Sequence, residues 1–469
     1  MKFFVEGRND FEYHENQKEI MQTFRGMKWL NSLVGILALL IVVLSINDVR
    51  AQNMGSSGED YYTDQYLRLD NHVYAQNVKT VLFHPKDWPL AAPIVELNDA
   101  TSLLELHFDV LDSALGNFMY TIIHCNADWN QSDLEPHEYI DGPFEDYLTE
   151  FEFSRLGFQR YIHYSLEIPN FSMRITKSGN YILHVFDADD TERSILTRRF
   201  CITENLISVD AEIHQPVLVN RRYSHQEIDF NLDLQSYSIT NPFNDLHVVI
   251  LQNHSWENAL TGLKPRFVKQ NVLDYDHDGN NTIEGGNEFR MLDIKNNRFV
   301  GEGIERVSYV NSENHAYLEM DKSRLSLSYL QRRDLNGWFF IRNDLFGGNA
   351  HTTGDYVNVH FSLKQPKPIA DGDVYIYGAL TDWKIIPEAK MSFNQVTLRY
   401  ENTLYLKQGL YNYMYAYVKD GDVQADLNRF EGSHFQTENE YIILVYHRPI
   451  GTDFDRLIKA ESIGYPANN

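Results

Sequence analysis

The sequence predicts an all-β protein, a tandem of antiparallel β-sandwich domains behind an N-terminal signal peptide. Leu103-Leu-Glu-Leu-His-Phe-Asp-Val110 alternates apolar and polar side chains, the period of a strand with one buried face. Phe118 to Cys125, Tyr161 to Ile168, Tyr181 to Phe186 and Ile195 to Ile202 repeat that pattern. Asn, Gly and Asp separate these runs and no helical period intervenes, which is the signature of antiparallel sandwiches.

Before the strands comes a different kind of segment. Trp29 to Asn47 carries no charge and follows Arg25 and Lys28, and Val49-Arg50-Ala51 then supplies small residues at −3 and −1. This describes a secretory leader, with cleavage between Ala51 and Gln52. An uncleaved anchor is the alternative, because nineteen uncharged residues are long enough to span. Residues 1–20 are polar and acidic, unlike an n-region, so translation is expected to start at Met21 or Met27. No cysteine stands near the cleavage site, which argues against lipid attachment. An exported, soluble protein is expected.

Composition narrows the function. The 469 residues carry a net charge of −25, with 66 acidic against 41 basic side chains. Such a surface repels phosphate backbones, and no basic stripe offsets it, so nucleic acid is not an expected partner. Aromatic residues make up 13% of the chain, far more than a disordered chain carries. Cys125 and Cys201 are too few for a disulfide scaffold; a bridge between them and two buried thiols both remain open.

Further along, strand-like runs occupy Ile207 to His214, Gln226 to Leu234, Leu246 to Gln252, Glu288 to Ile294 and Tyr356 to Leu363. Lys364-Gln-Pro-Lys-Pro368 reads as a linker because proline cannot donate to a ladder. A last set starts at Val374. The expected units are residues 1–51 (extension and leader), 57–205, 206–365 and 366–456. Within the first, Asp133 to Arg160 is a long excursion broken by Pro136 and Pro143, and loops of that length are often functional. It carries Tyr139, Phe144, Tyr147, Phe151, Phe153 and Phe158, the candidate partner-facing residues, which the alternative has folding back onto their own domain.

Three other constellations invite chemistry. Asp274, Asp276 and Asp278 open like a calcium loop, but position twelve is Gly285 rather than glutamate, so a polar turn is the stronger reading and Ca²⁺ a weak one. Apart from that, no cofactor is expected. No His-x-x-x-His pair, Gly-x-Ser-x-Gly elbow or phosphate loop occurs, and a non-catalytic protein is expected. Val374-Tyr-Ile-Tyr-Gly378-Ala-Leu-Thr-Asp-Trp383, followed by Gly409-Leu-Tyr411-Asn-Tyr413, resembles the early-set immunoglobulin-like domains, including glycogen-binding modules. That resemblance implies an immunoglobulin-like sandwich in which Trp383 is either a sugar platform or a core residue.

Across residues 57–456 a set of ordered phrases resembles the plug protein family of the bacterial type IX secretion system. They are Val78-Lys-Thr-Val-Leu82, Trp88-Pro-Leu-Ala-Ala-Pro-Ile94, Tyr120-Thr-Ile-Ile-His-Cys-Asn-Ala-Asp-Trp129, Tyr161-Ile-His-Tyr164, Gly285-Gly-Asn-Glu-Phe-Arg290 and Glu431-Gly-Ser-His-Phe-Gln-Thr-Glu-Asn-Glu-Tyr441. The resemblance implies a periplasmic protein at the inner face of the outer membrane, partnered with a giant β-barrel translocon whose periplasmic mouth it seals between cargoes. A periplasmic carbohydrate-binding protein, resting on Trp383, and a calcium-dependent adhesin or scaffold, resting on Asp274 to Asp278, are the rival expectations.

Overall fold

The computed structural model describes residues 61–62, 66–112, 114–277 and 279–465. The leader and its Ala51/Gln52 junction lie outside the described residues. Among the described residues the architecture is all-β: three sandwiches, with α-helices no longer than four residues.

Alternation builds the first sandwich. In Leu104–Leu111, Leu104, Leu106, Phe108 and Val110 point inward, each at most 4% exposed. That strand lies between Val78–Pro85 and Tyr161–Ile168, with Glu150–Phe153 at the edge. The facing sheet runs His72–Val73, Ser194–Thr203, Gly179–Asp187, Phe118–Cys125 and Glu145–Tyr147, and Ile94–Glu96 joins it in parallel. Tyr120, Ile122, Leu183, Val185 and Leu196 meet the opposite sheet in one core.

Cys125 and Cys201 both stand opposite Asn180, one from each side of its strand. Two strand spacings, about 10 Å, therefore separate them, beyond the reach of a disulfide. Both are free and buried, and burial pushes each thiol up to about 12.

The expected boundary at 366 does not survive the sheet topology. Tyr356–Lys364 pairs with Arg399–Lys407 over nine residues, so Lys364–Pro368 leads away from one strand of a sheet whose next strand lies beyond it, and is not an interdomain linker. Leu246–Gln252 pairs instead with Asn439–His447, which in turn pairs with Arg456–Tyr465. The middle sandwich is thus discontinuous: strands between 208 and 284 are completed by the last two strands of the chain. Between those halves sits a nested sandwich. One of its sheets contains Arg290–Asp293, Phe339–Ile341, Gly372–Tyr377 and the long Gly409–Lys419; the other contains Ile304–Val310, Glu313–Leu318, Tyr356–Lys364, Ser392–Asn394 and Arg399–Lys407. Contacts this distant in sequence leave no local signal, whereas proline runs do, and the proline run was the misleading feature.

The chain crosses the neck of the nested sandwich twice, and the two crossings hold each other. Outbound is Gly285-Gly-Asn-Glu-Phe-Arg290 and inbound is Glu431 to Tyr441, two of the phrases that carry the family resemblance. His434 N donates to Gly286 O at 2.8 Å, Asn287 Nδ2 to Glu431 O at 2.7 Å, and Asn439 Nδ2 to Gly285 O at 2.8 Å. A Cβ at Gly285 would stand 2.1 Å from the His434 carbonyl oxygen, so only glycine lets the crossings touch. Gly285→Val is expected to lower stability by about 3 kcal/mol, read as a shift in denaturant midpoint at constant slope.

The sandwiches close on one another. Outer faces of the first and middle sandwiches share an apolar layer of Ile182, Cys201, Val249, Leu251, Ile442, Leu444 and Tyr446. This explains why Val248 to Leu251 and Ile442 to Tyr446 are continuous apolar runs rather than alternating ones, since both faces of those strands are covered. The first and nested sandwiches meet through Leu111, Tyr161 and Tyr356. With the neck as the third junction, the three units form a closed triangle around a cavity of about 70 Å³ lined by all of them.

Candidate functional site

Asp133 to Arg160 proves to be structured. Pro136 at the first position and reciprocal Glu135–Glu138 capping start a one-turn helix, Pro136–Tyr139. Glu145–Tyr147 then extends one sheet and Glu150–Phe153 the other, so a single segment forms the edge strands of both sheets. Tyr139 is 3% exposed, belongs to the core and donates through its hydroxyl to Ile122 O. The other five remain on the surface: Phe144, Tyr147, Phe151, Phe153 and Phe158 are 39–60% exposed. Phe151 and Phe153 pack edge to face at 6.0 Å, and Phe158 lies against Tyr309 of the nested sandwich at 4.7 Å.

This aromatic edge is held rigid from behind. Phe158 N and Gln159 N donate to the Asp355 carboxylate at 3.0 and 3.1 Å, and Arg155 N donates to Thr352 O at 2.8 Å. Gly157, at φ +101°, brings its Cα where a Cβ would meet that carboxylate at 2.6 Å. Exposed apolar edge strands are adhesive because their outer backbone groups and side chains both seek partners. Glu150 and Glu152, alternating with the two phenylalanines, supply charge on the opposite face.

Behind the edge lies a buried polar node that sequence reasoning missed. Asp109, 0% exposed, projects from the outer face of Leu104–Leu111 into the junction with the nested sandwich. Its carboxylate accepts from Lys407 Nζ at 2.5 Å, Tyr356 Oη at 2.7 Å and His163 Nδ1 at 2.8 Å. Beyond His163 stand His107 and His351, with ring centroids 4.3–5.3 Å apart. Burial, then the neighbouring imidazoles and Lys407, pushes His351 down to about 2, and burial likewise lowers His163 against the pull of Asp109. Burial therefore favours the neutral ring at both His351 and His163. The available signal was a carboxylate and a histidine on the polar side of a strand, Leu-His-Phe-Asp, which reads as solvent-facing until a second sandwich is known to cover it.

The remaining candidates do not assemble. Asp274 is turned to Lys269 Nζ at 2.9 Å and to Asp276 N at 3.0 Å, while Asp276 faces Arg266 at 3.7 Å. Asp278 lies outside the described residues. Trp383 is enclosed by Phe289, Tyr377 and Trp338 and is 8% exposed, so it presents no open face on which a sugar ring would stack.

Comparison with known proteins adds the following. A family described as "Type 9 secretion system plug protein 1st domain" matches residues 78–204, the span of the first sandwich that carries both edge strands. Among solved structures, the crystal structure of a hypothetical protein from Parabacteroides merdae ATCC 43184 is 32% identical with a TM-score of 0.81. The match covers 85% of this chain and 100% of that one. The serine-rich repeat adhesion glycoprotein Srr1 from Streptococcus agalactiae is 8% identical over 86% of this chain and 100% of its own, with a TM-score of 0.13, too slight a likeness to bear on the fold. No curated protein matches.

Proposed function

This chain belongs to the type 9 secretion system plug protein family, and from that premise we propose that it is a periplasmic, non-catalytic seal for the outer-membrane translocon. The reading is that it occludes the periplasmic mouth of the giant barrel while no cargo passes. A pore wide enough for folded cargo leaks solutes unless a stiff body fills it. The observation that carries the reading is the closed triangle of three sandwiches, joined by two buried apolar layers and by the hydrogen-bonded neck. Antiparallel sandwiches packed face to face around apolar cores resist deformation. No helix among the described residues is long and apolar enough to cross a membrane, so attachment through protein contacts suits the chain.

Contact with the barrel is assigned to the aromatic edge. Phe144, Tyr147, Phe151, Phe153 and Phe158 are already about half covered, so each offers on the order of 1 kcal/mol if its remaining area is removed from water. Replacing Phe151 and Phe153 with serine is expected to release the protein from the translocon in co-purification while leaving its melting temperature within a few degrees. A variant that still co-purifies would move the contact elsewhere. A strain lacking the protein should admit large antibiotics faster than its parent, and equal rates of entry would end the sealing role itself.

A further inference from the structure

We propose that His107, His163 and His351 form a three-histidine Zn²⁺ site that clasps the first sandwich to the nested one. Among the described residues these three are the group whose ligand nitrogens converge, all lying within 4.8 Å of one another. His107 and His163 sit on neighbouring strands of the first sandwich, diagonal across the ladder because Asp109 faces His163 directly. His351 comes from the four-residue turn Ala350–Thr353 of the nested sandwich, whose Asn349 side chain accepts from His351 N at 2.9 Å.

The facing nitrogens argue for a cation between them. His107 Nδ1 and His163 Nε2 are 3.2 Å apart. Two imidazoles on a tetrahedral ion with bonds of about 2.0–2.1 Å stand roughly that far from each other. Each outer nitrogen is directed at a carboxylate: His163 Nδ1 lies 2.8 Å from Asp109 Oδ1, and His107 Nε2 lies 3.7 Å from Glu105 Oε2. Asp109 takes the His163 Nδ1 proton, which leaves the Nε2 lone pair of His163 facing His107 Nδ1, and Glu105 stands behind the outer nitrogen of His107. The carboxylate–histidine–metal pattern, in which the outer nitrogen is held so that the inner one binds, has this layout.

Ligand chemistry selects the ion. Three imidazoles without a thiolate or an inward carboxylate suit Zn²⁺ and its borderline neighbours, and do not suit Ca²⁺ or Mg²⁺, which require oxygen donors. Asp109 is paired with Lys407 at 2.5 Å, and Glu105, behind His107, lies 4.0 Å from Lys86. Because the donors come from two sandwiches, occupancy cross-links them beside the Asp109–Lys407 node. The competing arrangement is three stacked neutral rings sharing a ring N–H, which binds nothing.

Titrating the chelator-stripped full chain with Co²⁺ tests the proposal. The expected result is one equivalent bound, with the intense visible absorption of a four-coordinate ion, displaced by Zn²⁺. His351→Ala should weaken that binding by about tenfold or more, as should Glu105→Gln, which leaves all three ligands in place. Zn²⁺ should also raise the melting temperature of the parent and not of His351→Ala. Should His351→Ala fail to fold, Glu105→Gln and the Zn²⁺-dependent melting of the parent carry the test alone. Absence of stoichiometric binding, a weak six-coordinate spectrum, or affinity unchanged in Glu105→Gln and the His351 variant would overturn the site.

Discussion

Replacing Glu431 with alanine is expected to cost about 3 kcal/mol of stability, because it leaves two largely buried guanidinium groups with one carboxylate, Asp321, between them in charge. Glu431 is wholly buried at the inbound crossing of the neck. Its Oε2 accepts from Arg324 Nε at 2.7 Å and Arg290 Nη2 at 2.9 Å, and its Oε1 accepts from Arg290 Nε and Tyr415 N, each at 3.0 Å. Arg290 continues to Asp321 at 2.6 Å, and Asp321 in turn accepts the hydroxyls of Tyr413 and Tyr415 at 2.7 and 2.8 Å. Two arginines and two carboxylates thus balance. Burial alone would raise the Glu431 carboxyl, but Arg290 and Arg324 outweigh it and hold the group below the ordinary glutamate range.

Removing one partner from such a set differs from removing the set. Glu431→Leu combined with Arg290→Met removes one charge of each sign and leaves one arginine and one carboxylate, so the double variant should recover a large part of the loss. Equilibrium unfolding of the parent and these two variants separates the cases. A loss below 1 kcal/mol for Glu431→Ala would show that water reaches the network and that the crossing is looser than its hydrogen bonds imply. Limited proteolysis of Glu431→Ala should cut first within residues 290–430, because this cluster fastens the nested sandwich to its neck.

What could be read from the sequence follows the range of the forces involved. Strands such as Leu104–Leu111 were legible because alternation is local: Leu104, Leu106 and Phe108 declare a buried face without reference to any partner. Nesting was not legible, since it depends on Leu246–Gln252 choosing Asn439–His447 over anything nearer. A hint existed in the continuous apolar run Ile442 to Tyr446, which only a strand covered on both faces requires. For the aromatic edge, period two placed Phe151 and Phe153 on one face. Sequence alone had no means of separating Tyr139, which a capped turn rotates into the core, from the five that remain outside. The histidine cluster has no spacing motif at all, because sheet register places His107 beside His163 and only the packing of two sandwiches brings in His351 from a distant turn.

Acid should destabilise the protein through histidines that are buried neutral, and His124 is the cleanest of them. Its ring is 1% exposed, with Nδ1 2.8 Å from Ser132 Oγ and Nε2 3.2 Å from Ser178 O, and it packs edge-on against Tyr181. Burial drops it to about 4, against the opposing pulls of the Ser178 carbonyl and Asp455. A histidine whose folded pKa is depressed contributes stability above its unfolded value near 6.5 and loses it as pH falls toward the folded value. At pH 5 the unfolded ring is protonated and the folded one is not, which costs about 2 kcal/mol relative to neutral pH. Burial pushes His72 down to about 3 and His184 to about 4, and both act in the same direction. Glu288 and Asp334 oppose them: burial raises these carboxyls to about 7 and about 6, so each stabilises the fold as pH drops. The whole-protein slope is a difference between the two sets, and a single substitution isolates one member. His124→Gln keeps an amide that donates to Ser178 O but does not titrate. Its unfolding free energy, measured from pH 7 to pH 5, should fall by about 2 kcal/mol less than that of the parent, whatever constant offset the substitution introduces. Parallel curves for parent and variant would mean that His124 is already protonated in the folded state, which a ring enclosed by Tyr181, Phe454 and a backbone carbonyl has no solvent to support.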